Sequence, residues 1–184
     1  MNGKKSLAML LLFIFLMPAQ CLAGVYSNQI VNFTVNLPET WIPVEYNTIE
    51  QDVVFLRHFP GGYDSSLTIK SQEVDSSTPY TLDDLSDKQM KDIVDSAFNS
   101  TEDTTKTLLE NKVIQVAGHK ALYFVTRTAE DDTKVDTVWV LFLLKNVFYT
   151  ISVTTNTDTY DKVVSDLQQM LKTFRPYEVP AEVV

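Results

Sequence analysis

Seven consecutive apolar residues, Val138–Leu144, constrain the fold of this chain more than any other stretch. Successive side chains of a β-strand point to opposite faces of the sheet, so an uninterrupted apolar run predicts a strand that is covered on both faces. A sheet with both faces covered needs a further layer of structure on each side.

The remaining strands are predicted from alternating apolar residues bounded by turn residues. They are Val31–Leu37, Gln51–His58, Ser66–Ser71, Leu108–Val116, Ala121–Thr128 and Val147–Thr154. The last three of these, with Val135–Leu144, follow one another closely and predict an antiparallel meander. Gly118 marks one turn, and Lys145-Asn146 is short enough for a two-residue hairpin in which the asparagine takes positive φ.

Two amphipathic helices are predicted from apolar residues at helical spacing. The first runs from Leu82 to about Phe98, with Thr81 as the N-cap and Asp84 three residues later. The second begins at Tyr160 and ends before Arg175-Pro176. The fold class predicted is therefore α+β, an antiparallel β-sheet sandwiched between helices.

The first 23 residues have the pattern of a secretory signal peptide, with two lysines followed by the apolar run Leu7–Met17. That run is shorter than the roughly 20 residues of a membrane-spanning helix, and we expect no transmembrane segment after cleavage. Cleavage after Ala23 leaves residues 24–184 as one domain, periplasmic or secreted. A lipoprotein anchored through Cys21 is less favoured, because Gln20 rather than a small residue precedes the cysteine.

Composition restricts the partners of the mature chain. It has no cysteine once Cys21 is removed, which excludes disulfides and thiolate chemistry. Loss of Lys4 and Lys5 with the signal peptide leaves 13 of the 15 basic residues, whereas all 24 acidic residues remain. The formal net charge of the mature chain is therefore −11. Such a charge disfavours nucleic acid and anionic lipid surfaces, and no nucleic-acid partner is expected.

The two histidines give little support to catalysis. His58 is predicted to be partly buried on the same strand face as Val54 and Leu56, and His119 to be exposed after a turn glycine. Neither has a nearby Cys or His that would complete a zinc site, nor a recognisable serine triad setting. A hydrolase with an unrecognised site built on His58 or His119 remains one alternative.

Other groups that could carry chemistry are explained by local structure. Gly61-Gly62 lies between two strands without the residues of a phosphate-binding loop. The densest carboxylate group, Glu130-Asp131-Asp132 with Asp136, lacks the spacing of a calcium loop and is interpreted as a solvated hairpin tip. We expect no catalytic residue, metal or cofactor, and the chain is predicted not to be an enzyme.

Aromatic residues leave two interpretations open. Trp41 follows the strand-ending Pro38, which favours an indole folded back over the end of the apolar sheet face. Alternatively, Trp41, Phe59 and Tyr63 form an exposed patch that binds a partner protein, since aromatic residues are enriched at interface hot spots.

The order of these elements resembles that of the PsbP-like family. The resemblance is carried by the turn Pro38–Trp41, a mid-chain helix, the stretch Val116–Ala121 (VAGHKA), two long strands and a last helix that ends in Thr-Phe-Arg-Pro. Thr40 stands where the family usually has glycine. The family contains a photosystem II accessory subunit, DcrB-like envelope proteins and a Ran-binding nuclear import factor, so the resemblance implies an α/β/α sandwich and an accessory role.

The predicted function is that of an exported, non-enzymatic accessory or binding protein, which acts on an envelope protein partner through protein–protein contacts. A small-ligand carrier with a pocket between sheet and helix is a further alternative, beside the hydrolase.

Overall fold

The computed structural model describes residues 23–44, 52–74, 81–99, 105–130 and 133–177. Its elements, in chain order, are β1 (Ala23–Asn28), β2 (Phe33–Pro38), β3 (Ile42–Val44), β4 (Asp52–Arg57), β5 (Ser65–Glu73), a 3-10 turn (Leu82–Asp84), α1 (Asp87–Asn99), β6 (Lys106–Val116), β7 (His119–Glu130), β8 (Thr133–Leu144), β9 (Val147–Asn156), α2 (Tyr160–Thr173) and β10 (Arg175–Pro176). Cys21 and the rest of the predicted signal peptide before Ala23 lie outside the described residues.

A seven-stranded sheet forms the centre of the fold, with strand order β3-β4-β5-β9-β8-β7-β6. All of its neighbouring strands are antiparallel, and the predicted meander is confirmed as β6 to β9. A separate three-stranded sheet has the order β1-β2-β10, and of its strands only β2 was predicted. Strands of two or three residues, such as β10 and β3, are too short to produce a detectable alternation.

Two hairpins have two-residue loops; the loop at Lys145-Asn146 was predicted with that length, whereas Gly118 was predicted only to mark a turn. Val116 pairs with His119 across Ala117-Gly118, where φ is +51° and +85°, the pattern of a type I′ turn. Leu144 pairs with Val147 across Lys145-Asn146. There, the residue with positive φ is Lys145, at +56°, so the expectation that the asparagine takes this conformation is wrong.

The first face of the large sheet carries most of the core. Helix α2 and the small sheet cover it, and their apolar side chains join those of β4, β5, β7, β8 and β9 in one buried cluster. Phe174, just after α2, stacks on Phe33 of the small sheet at 5.6 Å and contacts Phe142 and Tyr149 edge-on at 5.1 Å each. These rings join the two sheets and the helix in one packed layer.

The second face is covered only in part. Helix α1 packs on β6 and β7, where Met90, Val94 and Leu122 are buried. A helix is about 10 Å wide and strands lie about 4.8 Å apart, so one helix covers about two strands. On β8, Val138, Val140 and Phe142 are buried, whereas Trp139 and Leu141 on the other face are half-buried. The predicted double cover of this strand is therefore incomplete.

The first helix begins later than predicted. Thr81 and Asp84 do form a reciprocal cap, with the Thr81 amide donating to Asp84 Oδ2 at 3.1 Å, but they cap only the 3-10 turn. Helix α1 starts at Asp87 after a second cap, in which the Ser86 amide donates to Gln89 Oε1 at 2.9 Å and the Gln89 amide to Ser86 Oγ at 3.3 Å.

A candidate ligand groove and an aromatic loop

An open groove lies where α1 leaves the second sheet face uncovered. Its volume is about 450 Å³, within the range of small-molecule sites. Residues of α1, the following strand and the sheet line it: Ile93, Val94, Ala97, Phe98, Lys106, Leu122, Phe124, Thr126, Thr128, Thr137, Trp139, Leu141 and Thr150. Most of these are apolar, and we call this feature the α1 groove.

The floor of the α1 groove is an aromatic platform. Phe124 and Trp139 are register partners on β7 and β8, and their rings stack with centroids 6.0 Å apart and planes inclined by 13°. The indole Nε1 donates to Thr126 Oγ1 at 3.3 Å. Beside this platform lies the apolar pair Leu122 and Leu141.

Polarity changes along the floor. One cross-strand row beyond the aromatic platform, Thr126 pairs with Thr137, and one row further Thr128 pairs with Lys106 of β6. Because alternate residues of a strand share a face, these side chains continue the same surface. The floor thus passes from apolar residues through threonine hydroxyls to an ammonium group.

Helix α1 forms the wall of the groove. Val94 is buried against the sheet, whereas Ile93 is 48% exposed and Phe98 half-buried. The apolar arc of α1 is therefore wider than the strip that contacts β6 and β7. The sequence analysis did not identify these residues as a site; the available signal was a tryptophan in an apolar strand whose neighbouring strand carries threonines at alternate positions.

Trp41 belongs to the core. Its side chain is 3% exposed, its amide donates to the Pro38 carbonyl at 2.9 Å, and its Nε1 donates to Asp166 Oδ2 of α2 at 2.8 Å. The turn contains no positive φ, which explains why Thr40 is accommodated where glycine is usual. Trp41 thus packs as the first interpretation predicts, and its assignment to an exposed patch is wrong because the indole is enclosed between the sheet and α2.

Phe59 and Tyr63 lie on the β4–β5 loop, residues 58–64. The Arg57 guanidinium forms an ion pair with Asp166 and lies 4.7 Å from the centre of the half-buried Phe59 ring. Tyr63 is 66% exposed. Trp41 and Phe59 are therefore linked through Asp166 and Arg57, but only Tyr63 of the three presents most of its side chain to solvent.

Each histidine contacts a carboxylate. His58 Nδ1 lies 2.7 Å from Asp64 Oδ1, and its side chain is 71% exposed, so the prediction that it is partly buried is wrong: β4 ends at Arg57 and His58 enters the loop. His119 Nδ1 lies 2.7 Å from Asp83 Oδ2. Within the described part of the chain, no group of three or more His, Cys, Asp or Glu residues could hold a metal ion.

Asp83 connects the 3-10 turn to the β6–β7 hairpin. The hydrogen bond from the Lys120 amide, at 2.6 Å, and then that from His119 lower the pKa of the Asp83 carboxyl below its ordinary value. Through these contacts Asp83 tethers two elements of the fold.

Titratable groups on the first sheet face are structural. Burial raises the pKa of Tyr149 to about 12, and its hydroxyl donates to the Asn32 carbonyl at 2.5 Å. Asp136 is buried and accepts two hydrogen bonds from Arg127, at 2.6 and 2.8 Å. Its assignment to a solvated hairpin tip is wrong; Asp131 and Asp132 lie outside the described residues.

An antiparallel sheet between two helices, with an apolar groove beside one of them, defines an α+β sandwich. The chain belongs to the PsbP-like protein family, whose family model matches residues 18–175, and the predicted family and fold class are confirmed. No helix among the described residues is long and apolar enough to cross a membrane. A comparison with curated proteins finds no match.

Three solved structures share the fold. Cyanobacterial PsbP from Synechocystis is 19% identical, with a TM-score of 0.59 over 88% of this chain and 96% of that one. A Bacteroides thetaiotaomicron protein is 14% identical, with a TM-score of 0.60 over 87% of this chain, which spans only 50% of that longer one. LpqN of Mycobacterium tuberculosis, described as involved in cell envelope biogenesis, is 6% identical, with a TM-score of 0.55 over 79% of this chain and 83% of that one.

Proposed function

We propose that this chain is an exported, non-enzymatic accessory protein of the cell envelope that binds a partner protein. In this proposal, residues 1–23 are removed and residues 24–184 act as one domain in the periplasm or outside the cell. Membership of the PsbP-like family supports a binding role, and LpqN provides an example of the fold in a protein of the envelope.

The observation that carries the proposal is the ordered β4–β5 loop. The Gly62 amide donates to the Phe59 carbonyl at 3.0 Å, Gly61 takes a φ of +77°, and His58 and Asp64 pair across the loop. A loop ordered before binding loses less conformational entropy on association. We propose Tyr63 as the main partner contact, with Phe59 as its support and Trp41 as a buried part of the scaffold.

A photo-crosslinking amino acid at position 63, in the native host, tests the proposal. We expect one reproducible envelope protein to be captured, and Tyr63→Ala to weaken binding of that protein to the purified chain by about tenfold. The same crosslinker at Lys162, an exposed residue of α2, is the control. Equal capture at both positions, or none at position 63, contradicts the proposal.

The same preparation tests the proposed processing. Mass spectrometry of the captured chain is expected to identify Gly24 as its N-terminus. A lipidated Cys21 at the N-terminus would instead place the protein on a membrane surface and contradict a soluble form.

A second candidate function is that of a small-ligand carrier, and the α1 groove is the observation that favours it. Its volume of about 450 Å³ lies within the range of small-molecule sites, and most of its lining residues are apolar. Native mass spectrometry of protein purified from its host without detergent is expected to detect an added mass that is lost on organic extraction.

A further inference from the structure

We infer that the α1 groove binds a neutral, apolar compound that contains a flat ring, and that it excludes ligands with a charged head. This inference rests on the carrier function proposed above and names its class of ligand; it is independent of the β4–β5 loop. Three properties of the lining carry it: most of its polar side chains are already engaged, its described residues include no carboxylate, and an aromatic pair forms its floor.

Most polar side chains of the lining already have partners within the protein. Thr126 Oγ1 accepts a hydrogen bond from Trp139 Nε1 at 3.3 Å and lies 3.5 Å from the Thr137 carbonyl, to which it donates. The Thr137 hydroxyl lies 3.2 Å from that of Thr154. Lys106 also has an interaction partner. A charged ligand would therefore lose its water of hydration without gaining new hydrogen bonds, which is unfavourable.

The two other threonines of the lining do not converge on one point. Thr128 pairs with Val135 of β8, and Thr150 pairs with Leu141 of the same strand. These two positions on β8 are six residues apart, which corresponds to about 20 Å of extended backbone. One compact polar head cannot contact both hydroxyls. The described lining thus lacks the few converging polar groups by which a site holds a charged ligand.

Charge complementarity also favours a neutral ligand. The chain has 24 acidic residues, yet no Asp or Glu is among the described residues that line the groove. An anion would approach a chain with a formal net charge of −9, where the lysine of the lining already has a partner. A cation would find no carboxylate in the described lining. A neutral molecule meets neither penalty.

The aromatic platform favours a flat ring over a flexible chain. The planes of Phe124 and Trp139 are inclined by only 13°, and ring-to-ring packing contributes more than the buried area alone. Because the indole Nε1 is already bonded to Thr126, the part of Trp139 that remains for a ligand is its apolar ring. A flat ring between this platform and Ile93 of the wall would bury apolar surface on both sides.

Two fluorescent probes that differ by one charged group test the inference. They are N-phenylnaphthylamine, which is neutral, and its sulfonated analogue anilinonaphthalenesulfonate. We expect saturable binding of the neutral probe with increased emission, and binding of the sulfonate that is weaker by at least about tenfold. Titration at high ionic strength screens the long-range repulsion from the net charge, so the difference that remains reports on the groove. No saturable binding of the neutral probe, or equal affinity for both, would overturn the inference.

Two variants separate the groove from the rest of the surface. Ile93→Glu places a carboxylate in the apolar wall and is expected to weaken binding of the neutral probe by about tenfold. Leu109→Glu is the matched control, since Leu109 is 46% exposed but is not among the residues that line the groove, and it should leave binding unchanged. The same loss in both variants, or in neither, is evidence against the groove.

The ring is tested by Phe124→Leu, which keeps the floor apolar but removes one aromatic side chain. We expect this variant to weaken N-phenylnaphthylamine by about fivefold. The affinity for decanol, a neutral aliphatic chain measured by displacement of the probe, should change by less than about twofold. Equal losses for the ring and the chain, or no loss for the ring, would contradict the assignment of a flat ring.

Native mass spectrometry of protein purified from its host distinguishes failure of this inference from failure of the carrier function. An added mass identified as a neutral ring compound supports the inference. An added mass identified as a charged or ring-free compound retains a carrier while overturning this class of ligand.

Discussion

Asp166 connects three parts of the chain through one carboxylate. It accepts a hydrogen bond from the Trp41 indole and pairs with Arg57, which in turn supports Phe59. Both members of the ion pair are mostly buried, with side chains 13% and 17% exposed. Removal of one partner from such a pair leaves the other charge without compensation, and that loss is usually larger than the net contribution of the pair.

We therefore predict that Asp166→Ala lowers the free energy of unfolding by about 3 kcal/mol. Urea denaturation followed by circular dichroism measures the change. Gln168→Ala, at an exposed position of the same helix, is the control and should change stability by less than about 0.5 kcal/mol. A loss below about 1 kcal/mol for Asp166→Ala would show that Arg57 and Trp41 find other partners.

Ala117 adopts the left-handed conformation, with φ at +51°, although it carries a Cβ atom. This conformation costs an ordinary L-residue about 1–2 kcal/mol, whereas asparagine adopts it readily and Asn-Gly is preferred in type I′ turns. Ala117→Asn is therefore predicted to stabilise the fold by about 0.5–1 kcal/mol. Thermal unfolding measures the shift, with Ala117→Val expected to change it in the opposite direction.

At the scale of elements, Asp83 joins the 3-10 turn to the β6–β7 hairpin through His119 and the Lys120 amide. Its pKa is lower in the folded than in the unfolded state. The resulting stabilisation is present above the unfolded pKa of about 3.9 and is lost as the pH falls through the lower folded value.

Asp83→Asn is thus predicted to be less stable than the unaltered protein near neutral pH and to approach it below about pH 4. Melting temperatures across that range provide the measurement. Asp84→Asn, which leaves both contacts of Asp83 in place, controls for the change in net charge. A stability difference for Asp83→Asn that stays constant with pH would show that the ionised carboxylate of Asp83 stabilises the fold no more than the protonated form does.

The sequence predicted the elements whose periodicity is long enough to detect. β6 to β9 and α2 have ten or more residues each and were located within a few residues. Helix α1 was placed one turn early because Thr81 and Ser86 both have side chains that can cap a helix.

The site was less predictable, for a physical reason. The ion pair of Arg57 with Asp166 spans 109 positions, and no local pattern specifies such a contact. The α1 groove exists because one helix covers two strands of seven, a property of the packed layers and not of any one segment. The choice between the two interpretations of Trp41 required the position of α2, because that helix encloses the indole.

At the scale of the whole molecule, the two tryptophans report on opposite faces of one sheet. Trp41 lies in the core beneath α2, and Trp139 lies in the α1 groove on the other face. Both faces share β7 and β8, whose alternate residues enter one core or the other. Loss of either layer exposes the opposite side of the same strands, so the two cores are expected to unfold together.

We predict that fluorescence and far-UV circular dichroism give coincident urea transitions in Trp139→Phe, which retains Trp41, and likewise in Trp41→Phe, which retains Trp139. Midpoints differ between the variants if Trp41→Phe is destabilising, so the comparison is made between probes within each variant. A Trp139 signal that changes before the circular dichroism would show that α1 separates from the sheet first. In that case the groove would open independently of the α2 core, and residues 24–184 would not behave as a single cooperative domain.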